Sequence, residues 1–261
     1  MCSRERYEAT LREEVAREPA LVLSGQEESD RILQLAAGRG LHTAGWVHSI
    51  SGVGMLCATV EQAEILCVSE FVRRRVRENL GREGLLFHPP FDPAGKAGTL
   101  IPGGALTMVN PIPEKGGELF VEIVERLPKS TFIAVDGWYP ATLPALPNLR
   151  RFTRPALMPE IWRQTSTLLV PSPLEEGFGR VCVEAGQRRI PSITSGRGGL
   201  SEAAAEGGPV ADPEEPSAWT AAIELLDDPA VYEEYAGAAL RHARSFEGDP
   251  VHRLRELGVI N

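Results

Sequence analysis

Short apolar runs alternate with helical segments along almost the whole chain, and that alternation leaves few folds open. Apolar runs at 20–23, 43–47, 64–68 and 85–87 are predicted strands. Between them, helices are predicted over 27–37, 51–63 and 70–80, preceded by one over 5–17 in which Tyr7, Leu11 and Val15 recur every four residues. Ser69 is placed to cap the helix that follows it and Gly81 to end it. Residues 93–104 are rich in Pro and Gly (Pro93, Gly95, Gly98, Pro102, Gly103, Gly104) and read as a linker. A second series follows, with strands at 105–109, 131–135, 167–170 and 191–194. A helical face runs through Leu119, Phe120, Ile123, Val124 and Leu127, and further helices are predicted over 179–188, 218–226 and 230–243. Apolar strands separated by helices imply parallel sheets covered on both faces. The fold class expected is therefore α/β, with two Rossmann-type parallel-sheet units, residues 1–100 and 105–261. Ligands of such sheets bind beyond the carboxyl ends of the strands, so a cleft between the two units is the expected site.

Composition narrows the function. Of the 261 residues 43% are hydrophobic and 24% charged, as in ordinary globular proteins. No apolar run reaches membrane-spanning length, and the first residues lead into a charged stretch, so a cytoplasmic location without a membrane span is expected. A net charge of −9 argues against nucleic acid as the main partner. Cys2, Cys57, Cys67 and Cys182 lack metal-binding spacing and read as reduced thiols.

The strongest local signal is Glu176-Gly177-Phe178-Gly179-Arg180-Val181-Cys182-Val183-Glu184. It follows an apolar strand that ends at Pro171-Ser172. Gly177 and Gly179 let backbone N–H groups approach a ligand closely, and the helix start behind them favours an anion such as a diphosphate. Glu176 stands in the loop and Glu184 about two turns into the helix. Two carboxylates so placed can accept hydrogen bonds from two separate sets of sugar hydroxyls.

This pattern resembles the retaining GT-B glycosyltransferases of family 4. The resemblance extends to Val109-Asn110-Pro111-Ile112-Pro113-Glu114-Lys115-Gly116-Gly117, similar to the family's donor-phosphate loop. It extends also to Ser195-Gly196-Arg197-Gly198-Gly199-Leu200-Ser201-Glu202, similar to its Gly-Gly-x-x-Glu turn, and to Cys67-Val68-Ser69-Glu70-Phe71 and the strand ending at His48. It covers about 18–250 and is densest from 105 to 215. The resemblance implies that Glu184 binds the ribose hydroxyls and Glu176 the donor-sugar hydroxyls. Phe178 and Gly179 then present backbone N–H groups beside it, and Gly177, Asn110 and Arg180 are further candidate donor-binding residues. Lys115 neutralises the leaving diphosphate and His48 points at the donor sugar. The turn at 153–158 lies under the base.

The chemistry so implied is front-face hexosyl transfer with retention, from a UDP- or GDP-sugar to an unidentified acceptor, without metal or resident cofactor. Two departures stand out. Asn110 occupies the position where the family usually has an arginine, for which Arg180 or Arg197 is a candidate substitute. The first unit starts at the helix before what resembles the family's fourth strand, so it reads as shortened, with 20–23 as an uncovered edge that seeks a homodimer partner or a second chain. The alternative function is a non-catalytic nucleotide-sugar binder or one subunit of a two-chain transferase. The simpler readings of other residues are structural. Arg73-Arg74-Arg75 is the wet face of a helix, Trp46, Trp138, Trp162 and Trp219 are core or interface residues, and Asp136-Gly137 is a turn.

Overall fold

The computed structural model describes residues 12–13, 16–17, 21–93, 103–137, 139–153 and 158–260. Most of the helix expected over 5–17, Cys2, Ala20, most of the 93–104 linker, Trp138 and most of the 153–158 turn lie outside the described residues. The chain divides into two units, Met1–Pro90 with Gly248–Asn261, and Phe91–Glu247.

The first unit holds β1 (Val22–Ser24), α1 (Ser29–Ala37), β2 (Thr43–Val47), α2 (Gly52–Met55) running into a 3-10 turn (Leu56–Thr59), β3 (Glu64–Cys67), α3 (Glu70–Leu80) and β4 (Leu85–Leu86). All four strands are parallel, in the order β1-β2-β3-β4. The boundaries of α3 are those its punctuation predicts. Ser69 Oγ accepts a hydrogen bond from the Val72 amide at 3.1 Å, and Gly81 ends the helix in the left-handed region at φ 65°. The helix expected over 51–63 is much shorter, because the chain tightens after Met55 and turns extended at Val60. Arg82 holds that turn, donating to the carbonyls of Ala58, Val60, Glu61 and Ala63 at 2.7–3.2 Å. Among the described residues β1 pairs only with β2, and Leu23 on it is exposed.

The sequence division assigned 105–261 to the second domain. In the structure the last helix, Pro250–Glu256, groups with the first unit instead. Its Leu254, with Val259 just beyond, is buried against Ala44, Leu66 and Phe87. Burial of these apolar side chains on the first sheet is the physical reason for the return.

The second unit contains β5 (Ala105–Val109), α4 (Gly117–Arg126), β6 (Phe132–Val135), β7 (Leu149–Phe152), α5 (Met158–Trp162), β8 (Thr165–Val170), α6 (Arg180–Gly186), β9 (Ser192–Thr194), α7 (Leu200–Ala204), α8 (Pro216–Leu225) and α9 (Pro229–Arg244). Its five strands are parallel, in the order β7-β6-β5-β8-β9. β7 was not among the expected strands. The core gathers Phe120 and Phe132, edge to face at 5.9 Å, around fully buried Ile123, Ile193 and Trp219. Between the two central strands, the hydroxyls of Thr107 and Thr165 hydrogen-bond at 2.8 Å, which satisfies two buried polar groups at once. Where the chain enters and leaves this unit, Phe91 and Glu247 form a parallel bridge, and Gln187 Nε2 donates to the Asp92 carbonyl at 2.7 Å.

Candidate functional site

Strand order fixes where a ligand can enter the second unit. From β5 the chain adds β6 and β7 on one side, then crosses back to add β8 and β9 on the other. The helices that follow β5 and β8 therefore run to opposite sides, and the carboxyl ends of this pair are the switch point at which open α/β sheets take ligands. The two loops leaving these strands are those that carry Lys115 and Glu176.

After β5, Asn110 takes a left-handed conformation at φ 60°, and a 3-10 turn over Pro113–Lys115 leads through Gly116 to α4. Gly116 has φ 87°, and a Cβ there would fall 2.2 Å from the carbonyl oxygen of Pro171, at the end of β8. The Lys115 loop thus lies directly on the start of the other loop. Beyond β8, the Arg197 guanidinium donates to the Pro173 carbonyl at 2.6 Å and pairs with Glu214 at 3.0 Å. Glu176 forms a parallel bridge with Gly198, and the Gly199 amide donates to the Glu176 carbonyl at 2.7 Å. A Cβ on Gly198 would stand 2.4 Å from that same oxygen. The glycine turn at 198–199 is therefore the seat on which Glu176 rests.

So positioned, Lys115 Nζ donates to both carboxylate oxygens of Glu176, at 2.6 and 2.5 Å. The carboxylate side chain is 16% exposed and the lysine 39%. Glu184 lies on α6, with Arg180 Nε 3.7 Å from its carboxylate. Burial pushes the Glu184 carboxyl above its usual range, against the pull of Arg180 and Arg188. Arg188 donates to the Glu184 carbonyl at 2.6 Å, and burial lowers its own pKa.

The remaining expected residues fall as follows. Gly177 leads into the buried Phe178, whose ring packs against Phe91 and Phe246, so this side chain is structural. Gly179 precedes α6 at φ 115°, with no side-chain cap on that helix. The Arg180 guanidinium lies 4.6 Å from the Phe91 ring centre, a cation–π contact. Asn110 Oδ1 is buried without a hydrogen-bond partner, its side chain pressed on Gly137, where a Cβ would meet that oxygen at 2.1 Å. His48 belongs to the first unit, just past β2, with its ring 4.3 Å from that of Trp46. The geometry thus brings Lys115 and Glu176 into contact and sets Arg180 beside Glu184.

Asp136-Gly137 reads from the sequence as a turn first and a site second. Asp136, at the end of β6, is 5% exposed and accepts two hydrogen bonds from Arg151 of β7, at 3.1 and 2.9 Å. The signal available was an Asp closing the fully buried run Phe132–Val135. Among the described residues no group of three or more His, Cys, Asp or Glu side chains is disposed to hold a metal ion. None of the described helices is long and apolar enough to cross a membrane.

Two units of parallel sheet, with a strand reversal under the loops that carry Lys115 and Glu176, make this an α/β protein of the GT-B fold. Residues 104–228 match the family described as Glycosyl transferases group 1. A curated relative, D-inositol 3-phosphate glycosyltransferase of Thermobispora bispora, is 35% identical over 101 residues, covering 37% of this chain and 24% of the relative. The match thus spans about a quarter of that protein's length. Among solved structures, HepE of Anabaena, determined in complex with UDP and glucose, superposes with a TM-score of 0.79 at 16% identity over 96% of this chain and 80% of that one. A glycosyltransferase from Rickettsia africae superposes with a TM-score of 0.64 at 13% identity, over 89% and 79% of the two chains.

Proposed function

We propose that the second unit binds a nucleoside-diphosphate sugar and that the chain transfers its hexosyl group, with retention, to an acceptor. The observation that carries this reading is the Lys115–Glu176 pair at the strand reversal, a cation for phosphate adjoining a carboxylate for hydroxyls. Lys115 neutralises the diphosphate as the bond to the anomeric carbon breaks, which is where charge develops. Glu176 accepts hydrogen bonds from hydroxyls of the donor sugar, and Glu184 from those of the ribose. The backbone N–H groups at Gly177, Phe178 and Gly179 flank the phosphates, with Arg180 beside them, and Asn110 Oδ1 offers an unused acceptor. By its resemblance to the family, His48 is assigned to the donor sugar. The acceptor hydroxyl enters on the face that the diphosphate leaves. No metal or resident cofactor takes part in this scheme, in which the nucleotide sugar is a substrate. The complexes of HepE with UDP and glucose and with UDP-glucose make UDP-glucose the first donor to test.

Calorimetric titration of UDP, GDP and their sugar conjugates tests the binding half. Glu184→Ala is expected to weaken the preferred nucleotide by about 1–3 kcal/mol, the size of a lost charged hydrogen bond. Absence of binding by every nucleotide refutes the reading. A second reading, binding without transfer, draws on the neutral Asn110 standing where the resembling family has an arginine. Product analysis with a panel of acceptors separates the two.

A further inference from the structure

The lysine that a diphosphate needs already has an anion. Lys115 donates to both oxygens of Glu176. Backbone lies against backbone on both sides, Gly116 on the Pro171 carbonyl and Gly198 on the Glu176 carbonyl. The carboxylate is the more deeply buried partner. Removing its cation therefore costs more than exposing the lysine would, unless another donor takes the cation's place.

We infer that Glu176 is a specificity-determining residue that competes with the ligand's diphosphate for Lys115, so that the site discriminates against a bare diphosphate and in favour of one esterified to a polyhydroxyl group. This rests on the proposal that the site takes a nucleoside-diphosphate sugar. Phosphate oxygens at neutral pH are acceptors and carry negative charge. A bare diphosphate that draws Lys115 away leaves Glu176 unpaired beside a second anion. A sugar on the same diphosphate supplies hydroxyl donors to Glu176 while the phosphate takes the ammonium, so both groups stay satisfied. Once the hexosyl group has left, those donors are gone. Lys115 then returns to Glu176, and the product nucleotide is expelled by the residue that helped to hold the donor.

The sign of the predicted effect sets this role apart from simple donor binding. In Glu176→Gln the competing charge is removed and the shape kept. Inorganic pyrophosphate, followed by phosphorus NMR, and UDP, followed by calorimetry, are expected to bind the full chain roughly two- to fivefold more tightly than they bind wild type, the range of a partly exposed ion pair. UDP-glucose is expected to bind no more tightly, or more weakly. Lys115→Met, alone or combined with Glu176→Gln, removes the gain. Unchanged or weakened pyrophosphate binding in a Glu176→Gln protein with wild-type circular dichroism overturns the inference. A wild-type measurement tests it without any variant: UDP-glucose must bind more tightly than UDP, and the reverse order overturns it too. Should no nucleotide bind wild type, the proposed function fails by itself, while the pyrophosphate comparison still decides whether Glu176 competes for Lys115.

Discussion

Gly198→Ala is the sharpest probe of how the site is held. A methyl group at this position would lie 2.4 Å from the Glu176 carbonyl oxygen and 2.7 Å from its amide nitrogen, both backbone atoms. Ordinary contact begins near 3.4 Å, so the two loops must part by about 1 Å. That displacement takes the Gly199 amide out of hydrogen-bond range of the Glu176 carbonyl, now 2.7 Å away. Loss of this bond costs about 1 kcal/mol. A Cβ at φ 66° adds about 1–2 kcal/mol of left-handed strain. The reduced freedom of the unfolded chain returns about 0.5–1 kcal/mol. With the steric displacement included, the net loss expected is about 2–3 kcal/mol. Gly103→Ala is the control. Gly103 has nearly the same φ, 72°, and no atom of the described residues within 4 Å of the added methyl group, so it reports the backbone terms alone. Urea unfolding followed by circular dichroism gives both values, and calorimetry with UDP reads the site. If Gly198→Ala and Gly103→Ala destabilise equally, within about 0.5 kcal/mol, the glycine turn is not the seat of Glu176 and the reasoning fails.

The other predictions concern buried charge. Glu184 has its carboxyl pKa raised by burial, so the folded chain holds that proton more tightly than the unfolded chain, and stability falls as pH rises through the interval above 4.5. Glu184→Gln is therefore expected to raise Tm at pH 7 while weakening nucleotide binding, with the Tm difference closing as the pH is lowered to 4; a lower Tm at pH 7 contradicts this. Burial pushes the thiols of Cys57 up to about 11 and of Cys67 and Cys182 up to about 12, and the Tyr232 hydroxyl up to about 12. The unfolded chain ionises first, so stability should decline from about pH 9 upward; a flat Tm between pH 8 and 11 refutes this. Arg151→Met strands the buried Asp136 carboxylate and should cost about 2–4 kcal/mol in urea unfolding, part of it recovered when Asp136→Asn is added.

Most of the fold was legible because local chemistry and tertiary structure agree. Ser69 and Gly81 bracket α3 as their capping chemistry requires, and the apolar runs at 43–47 and 105–109 become β2 and β5 with the same bounds. β7 escaped because it is an edge strand. Two of its four residues, Arg150 and Arg151, are exposed, so no apolar run marks it. The return of Pro250–Glu256 to the first unit escaped because amphipathicity says that a face will be buried but not against what. For the site, the motif named Lys115 and Glu176 separately. Their contact joins residues far apart in sequence, and it became visible only with the sheet order. Asp136 looked like a turn residue because its partner, Arg151, stands on the strand that was missed.

The same sheet order explains why the ion pair is where it is. Had β8 been added beyond β7, the loops after β5 and β8 would lie far apart, and Lys115 and Glu176 could not meet. Placed beside β5, β8 makes them neighbours while their following helices diverge. The central strands are tied beneath by the Thr107–Thr165 hydrogen bond and by Ser166, whose hydroxyl donates to the Gly104 carbonyl at 2.9 Å and whose carbonyl accepts from Tyr232 at 2.6 Å. Glycines in the loops beyond these strands let the two loops rest on each other without side chains between them. A lysine and a glutamate in contact cannot both find new partners in a ligand of one charge and one chemistry. What satisfies both is an anion joined to a donor of hydrogen bonds, and a diphosphate ester of a sugar has both parts.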